Sequence, residues 1–172
     1  VTGGTGTVAL SYMYNANPDG YTLMWYQTDM IYQTLLGRTE KAWDEAFKVV
    51  GVCCEGTTDT IFVRADSNFY TMQDIIDYAK ANPGKLNFAT EAGGNLHMTI
   101  LKLEHDLDID VNPVSLGGGG KRVTALLAGE VDVNMGAYGA SAEYIESGDF
   151  RAIAVLSSTE NTALSAHAGY TI

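Results

Sequence analysis

The most specific chemistry in this chain lies in two glycine loops, each set between a β-type run and a helix-like run. The first is Ala92-Gly93-Gly94, between Lys85 to Ala89 and Asn95 to Leu107. The second is Gly117-Gly118-Gly119-Gly120, between Val111 to Val114 and Arg122 to Ala128. A glycine loop at a helix start leaves backbone N–H groups unpaired and removes the Cβ that would hold a ligand off. Those groups and the helix dipole favour negative charge, so each loop is a candidate anion cradle. His97, in the first helical turn after Gly94, has two readings of similar weight. Its neutral imidazole donates to a bound group, or it ties two loops together. Glu91 is the odd residue, a carboxylate beside an anion cradle. It faces solvent, or it reads a cationic or protonated group on a ligand.

Other motifs fail on inspection. A P-loop ending at Gly120-Lys121 needs glycine at Ser115 and a hydroxyl at Arg122, where a magnesium ligand would sit. Gly4-Thr5-Gly6-Thr7-Val8-Ala9 has the spacing of a dinucleotide fingerprint with Asp29 downstream, but no strand precedes it, and a glycine turn opening a helix explains it better. His97, His105 and His167 have no partners at zinc spacing. His105 belongs to the acidic run Glu104 to Asp110, read as a solvated face. No nucleophile elbow or pair of catalytic carboxylates is visible. The sequence thus predicts no metal, no cofactor and no enzyme.

The elements that must position the loops follow from periodicity and turn chemistry. Thr5 to Asn15 reads as helix, closed by the turn Asn17-Pro18-Asp19-Gly20. Tyr21 to Tyr26 is aromatic and predicts a buried strand. Glu40 to Phe47 suits a short helix. Val49 to Cys54 and Thr60 to Arg64 predict strands around the turn Glu55 to Thr58. Met72, Ile75, Ile76 and Ala79 share a face of the helix Thr71 to Ala81, stopped by Asn82-Pro83-Gly84. Beyond the loops, Val131 to Met135 and Arg151 to Leu156 predict strands, with a short helix Ser141 to Glu146 between them. The alternation predicts an α/β fold with a mostly parallel sheet.

Composition narrows the partners. The 172 residues carry 21 acidic and 10 basic side chains, for a formal net charge of −11. Nucleic acid or an anionic membrane surface would be repelled. A small carboxylate would not, because backbone dipoles act locally while exposed charges are screened. No apolar run approaches the ~18 residues of a membrane span, and no signal-peptide pattern is present. The adjacent Cys53 and Cys54 read as two small buried hydrophobes.

Several strings then carry a family resemblance. They are Asn17-Pro18-Asp19-Gly20-Tyr21-Thr22-Leu23, Thr71 to Asp74 with Tyr78 to Leu86, Ala92 to His97, Gly118 to Gly120, Leu126 to Val133 and Arg151 to Val155. In this order they resemble the extracytoplasmic solute receptors of tripartite tricarboxylate transporters, the TctC or Bug receptors, over nearly the whole chain up to about Ser158. The resemblance implies a type II periplasmic-binding fold, two α/β lobes that close about a hinge on a small carboxylate. It also implies a periplasmic location and delivery of the ligand to membrane permease subunits, with no chemistry on the ligand.

Carried over by residue, the resemblance places Thr90, Gly93, Gly94, Asn95 and His97 on the cleft wall of the second lobe, and Glu91 joins them as a candidate by its position beside the loop. Gly118, Gly119 and Gly120 lie close by. Tyr26, Gln27 and Thr28 face the cleft from the first lobe, and Ala137 and Tyr138 follow the strand Val131 to Met135. It divides the chain into a partial first lobe at 1–62, a second lobe at 63–156 and a return segment at 157–172, with hinges near Val63-Arg64 and Leu156. The family's first strand with its glycine loop and its C-terminal helices have no counterpart, so the chain reads as truncated at both ends, with an edge open to dimerisation. Glu91 stands where the family tends to carry serine, and Leu116 replaces an aromatic, which leaves the ligand open. Two alternatives remain: a sensor domain of the same fold, and an α/β enzyme with Glu91 and His97 as acid and base.

Overall fold

The computed structural model describes residues 4–52 and 59–157. Cys53, Cys54, the expected turn at 55–58 and the tail from 158, with His167, lie outside the described residues.

The chain runs α1 (Thr7–Tyr14), α2 (Asp29–Leu35), α3 (Trp43–Ala46), β1 (Asp59–Arg64), α4 (Met72–Ala81) and β2 (Asn87–Thr90). It continues through α5 (Asn95–Leu107), β3 (Asn112–Ser115), α6 (Gly119–Ala128), β4 (Val133–Ala137), α7 (Ala142–Glu146) and β5 (Phe150–Leu156). Local chemistry sets the boundaries. Thr71 opens α4 with a capping box: its hydroxyl accepts from the Asp74 N–H at 3.2 Å, and the Asp74 carboxylate accepts from the Thr71 N–H at 2.8 Å. Gly129, at φ 74, ends α6 in the left-handed conformation that glycine adopts without strain.

The five strands form one sheet in the order β3-β2-β4-β1-β5. β2 pairs in parallel with β3 and β4, while β1 is antiparallel to both β4 and β5. Four strands therefore share one direction and β1 opposes them. Val63 lies inside β1, paired with Val133 and Arg151, Arg64 ends the strand opposite Phe150, and Leu156 pairs with Asp59. The sheet thus takes in β1 from Asp59 onward.

Alternation along the strands sends side chains to two cores. Ile61, Val63, Phe88, Val133 and Met135 pack with Ile75 and Ala79 of α4 and Ile100 of α5. On the other face Phe62, Ala89 and Ala152 meet Val123, Ala125 and Leu126 of α6 and Tyr138. Helices on both faces leave the strand ends as the place where a site can form. The Arg151 guanidinium donates to the carbonyls of Phe69 and Ala65 at 2.8 and 2.7 Å and sits over the Tyr70 ring, fixing the turn after β1.

Two expectations fail in the first third. Tyr21 to Tyr26 forms no strand, and Tyr21, Leu23 and Trp25 are 93, 75 and 76% exposed. Residues 49–52 likewise belong to no strand, with Val49, Val50 and Val52 exposed. β-propensity measures fit to a pleated, half-buried surface, and among the described residues no strand lies beside either segment. The helix expected over Glu40 to Phe47 contracts to the four residues of α3.

Candidate functional site

A cleft of about 200 Å³ opens where β2 and β4 end and β1 begins. Its walls come from Gln27 and Asp29 at the start of α2, Asp59 of β1, Glu91, Gly94, Asn95 and Leu96 after β2, Arg122 of α6, and Gly136 and Ala137 of β4. The connections leaving β2 and β4 go to helices on opposite faces of the sheet, and ligand sites of α/β sheets fall at such a divergence. The volume is below the ~300–1,000 Å³ of sites for drug-sized molecules, which suits a small metabolite.

The first glycine loop is already filled by the chain's own acceptors. The N–H of Ala92 donates to Ser115 Oγ at 3.1 Å, that of Gly93 to His97 Nδ1 at 3.0 Å, and that of Gly94 to the Glu91 carbonyl at 3.0 Å. The N–H of Asn95 donates to Asp29 Oδ1 at 2.6 Å. The outer side of the loop is tied as well. Gln33 Nε2, fully buried, donates to the Gly93 carbonyl at 2.9 Å, and Thr5 and Arg38 donate to that of Ala92. Gly93 sits at φ 77 with the Arg38 guanidinium where a Cβ would be, so glycine is required twice over. This loop docks the first third of the chain onto the sheet.

The second loop is open. Among the described residues none of the N–H groups of Gly118, Gly119 and Gly120 meets an acceptor, and a Cβ at Gly118 or Gly120 would touch nothing. From the first turn of the helix it starts, Arg122 reaches into the cleft. The Arg122 side chain is only 11% exposed; Nη1 donates to the Gly117 carbonyl at 2.6 Å and lies 3.9 Å from Glu91 Oε2. Its Nε is buried without a partner.

The cleft is otherwise acidic. Burial lowers the Arg122 pKa, opposed by the charges of Glu91, Asp29 and Asp59. Burial likewise raises the Asp59 carboxyl above its ordinary range, against the pull of Arg122. Tyr26 is raised by burial, then by Asp29 and Glu91. Both oxygens of Asp29 are engaged, because the second accepts from Gln27 Nε2 at 2.8 Å. Among the described residues Asp59 accepts only from Asn95 Nδ2, at 3.5 Å. Among the described residues no three His, Cys, Asp or Glu side chains are grouped to hold a metal ion.

Of the residues expected at the site, Gln27, Glu91, Gly94, Asn95 and Ala137 line the cleft. Gly93 and His97 form the loop beneath it, where His97 Nδ1 accepts from the Gly93 N–H four residues earlier, within the same loop and helix. Tyr26 donates to the Thr5 carbonyl at 3.2 Å, and Thr28 is exposed at the start of α2. Thr90 is buried with an unpartnered Oγ1, and Tyr138 packs in the core against Phe62. Gly118 to Gly120 stand outside the cleft that Arg122 enters. Asp29, Asp59, Leu96, Arg122 and Gly136 went unrecognised in the sequence as lining residues. Arg122 alone carried a signal there, as a guanidinium one turn beyond a glycine loop in an acidic chain.

In fold the chain is similar to periplasmic solute-binding proteins. It superposes on MatC from Rhodopseudomonas palustris, a structure with bound malate, at a TM-score of 0.81 and 22% identity, over 97% of this chain and 59% of that one. It matches the periplasmic binding protein BugD at 0.72 and 20% identity, over 94 and 55%. The profile of the tripartite tricarboxylate transporter family receptors, TctC, matches residues 2–169, and the chain belongs to that family. A curated relative, the UPF0065 protein in the gbd 5′ region of Cupriavidus necator, is 32% identical over 151 residues, 87% of this chain and 45% of the relative. The chain spans about half the length of the curated relatives it matches.

Proposed function

We propose that this protein is a solute-binding receptor that captures a small carboxylate in the cleft around Arg122 and delivers it to the permease subunits of a tripartite transporter. The observation that carries this reading is a guanidinium almost wholly buried in a metabolite-sized cleft with its Nε unpartnered. A guanidinium so far from water is costly without an acceptor, and a carboxylate seated against the part of it that lines the cleft would supply one. Malate bound to MatC, a protein of the same fold, supports a carboxylate as the ligand class.

The second lobe in this reading opens at Asp59 and closes at Leu156, and the elements before it form part of the first. A periplasmic location is part of this reading, supported by the likeness in fold to the periplasmic binding protein BugD. Among the described residues no helix is long and apolar enough to cross a membrane. Calorimetric titration against di- and tricarboxylates, aromatic acids and amino acids tests the reading. Saturable binding of at least one acid, without turnover, is expected; no binding across the panel, or conversion of an acid, would overturn it.

A further inference from the structure

We infer that the ligand of this cleft is zwitterionic, a small carboxylate that also carries an ammonium group, with its carboxylate on Arg122 and its ammonium between Asp59 and Glu91. The inference rests on the receptor reading above and names the ligand class within it.

The argument starts from what the cleft has already used. The N–H groups from Ala92 to Asn95 all have acceptors within the chain, and the one at the start of α5 holds Asp29. Among the described residues a ligand anion is therefore left with Arg122, the one cationic side chain of the lining. Around that one guanidinium stand three carboxylates, Asp29, Asp59 and Glu91. A dicarboxylate would add two further negative charges to a lining that is already net negative. A dipolar ligand adds none and places opposite charges against both signs of the wall.

The spare acceptors fit an ammonium. Both oxygens of Asp29 are engaged. Glu91 accepts no hydrogen bond from the described residues beyond its 3.9 Å approach to Arg122, and Asp59 has one long contact. Gln27 spends its amide N–H on Asp29, which leaves its carbonyl oxygen as an acceptor. An ammonium carries three donors, and Asp59, Glu91 and Gln27 offer three acceptors on the cleft wall.

Matched acids, with and without an amine, test this. Calorimetry would compare L-glutamate with glutarate, L-alanine with propionate and 4-aminobutyrate with butyrate. At least one amino acid is expected to bind about tenfold or more tightly than its deaminated partner. Glu91→Gln, which keeps the size of a partly exposed side chain, is expected to narrow that ratio by about tenfold, and Asp59→Asn provides an independent second variant. Deaminated acids that bind as well as their partners in every pair would overturn the inference and leave the receptor reading standing. So would a ratio unmoved in both variants. No binding by any acid would overturn the receptor reading and this inference with it.

Discussion

The carboxylate of Asp29 closes the N-terminus of α5, accepting from the Asn95 N–H at 2.6 Å across 66 positions of sequence. The anion that a glycine loop and helix start invite is thus supplied by the chain itself. The consequence is a division of labour between two loops that look alike in sequence. The first binds the front of the chain to the sheet, and the second leads into the helix whose guanidinium we propose as the ligand contact.

Removing that carboxylate loosens the docking. Asp29→Ala is expected to destabilise the protein by about 1.5–3 kcal/mol, the range of a hydrogen bond to a charged group. Asp29→Asn, which keeps an acceptor, should cost less. Urea unfolding measures both, and an unchanged midpoint for the alanine variant would show that the contact adds nothing.

The two loops should respond differently to a methyl group. Gly93→Ala is expected to cost about 1–3 kcal/mol, because it combines a φ of 77 with a collision against Arg38. Gly118→Ala, at φ −63 in open space, should cost less than ~1 kcal/mol. Thermal unfolding of the pair checks this; equal losses would contradict the assignment of roles.

Much of the second half was legible in the sequence because its signals are local. The capping box at Thr71, the stop at Asn82-Pro83-Gly84 and the strand-loop-helix units around Gly93 and Gly118 each specify an element over a few residues. Tyr21 to Tyr26 was misread because a strand is defined by its neighbour, which no local pattern reveals. The cleft was half legible for a related reason. Gly94 and Asn95 announce themselves by sequence, whereas Asp29 and Asp59 become site residues only when folding brings α2 and β1 to the end of β2.

Binding should depend on Arg122 more than on any other side chain. Arg122→Gln is expected to weaken capture of a carboxylate by about 2–5 kcal/mol, the cost of removing one partner of a desolvated charge pair. Titration calorimetry on a folded variant measures it. An affinity within twofold of the parent would remove Arg122 from the site.

Asp59 should trade stability for function. Burial holds its pKa above the ordinary 3.8, so the folded state keeps this proton more tightly than the unfolded chain. Stability is therefore gained as pH falls from the folded pKa through the ordinary value, and ionised Asp59 costs stability at neutral pH. Asp59→Asn is expected to raise the melting temperature at pH 7, with the gain shrinking as pH falls through that window. A lower or unchanged melting temperature at pH 7 would contradict the sign.

The most direct test of the Arg122 site is a crystal structure with a carboxylate ligand bound. The expected result is a ligand carboxylate oxygen within hydrogen-bond distance of the Arg122 guanidinium, with the bond from Asn95 to Asp29 intact. A ligand carboxylate seated on the Asn95 N–H, with Asp29 displaced and Arg122 untouched, would contradict it.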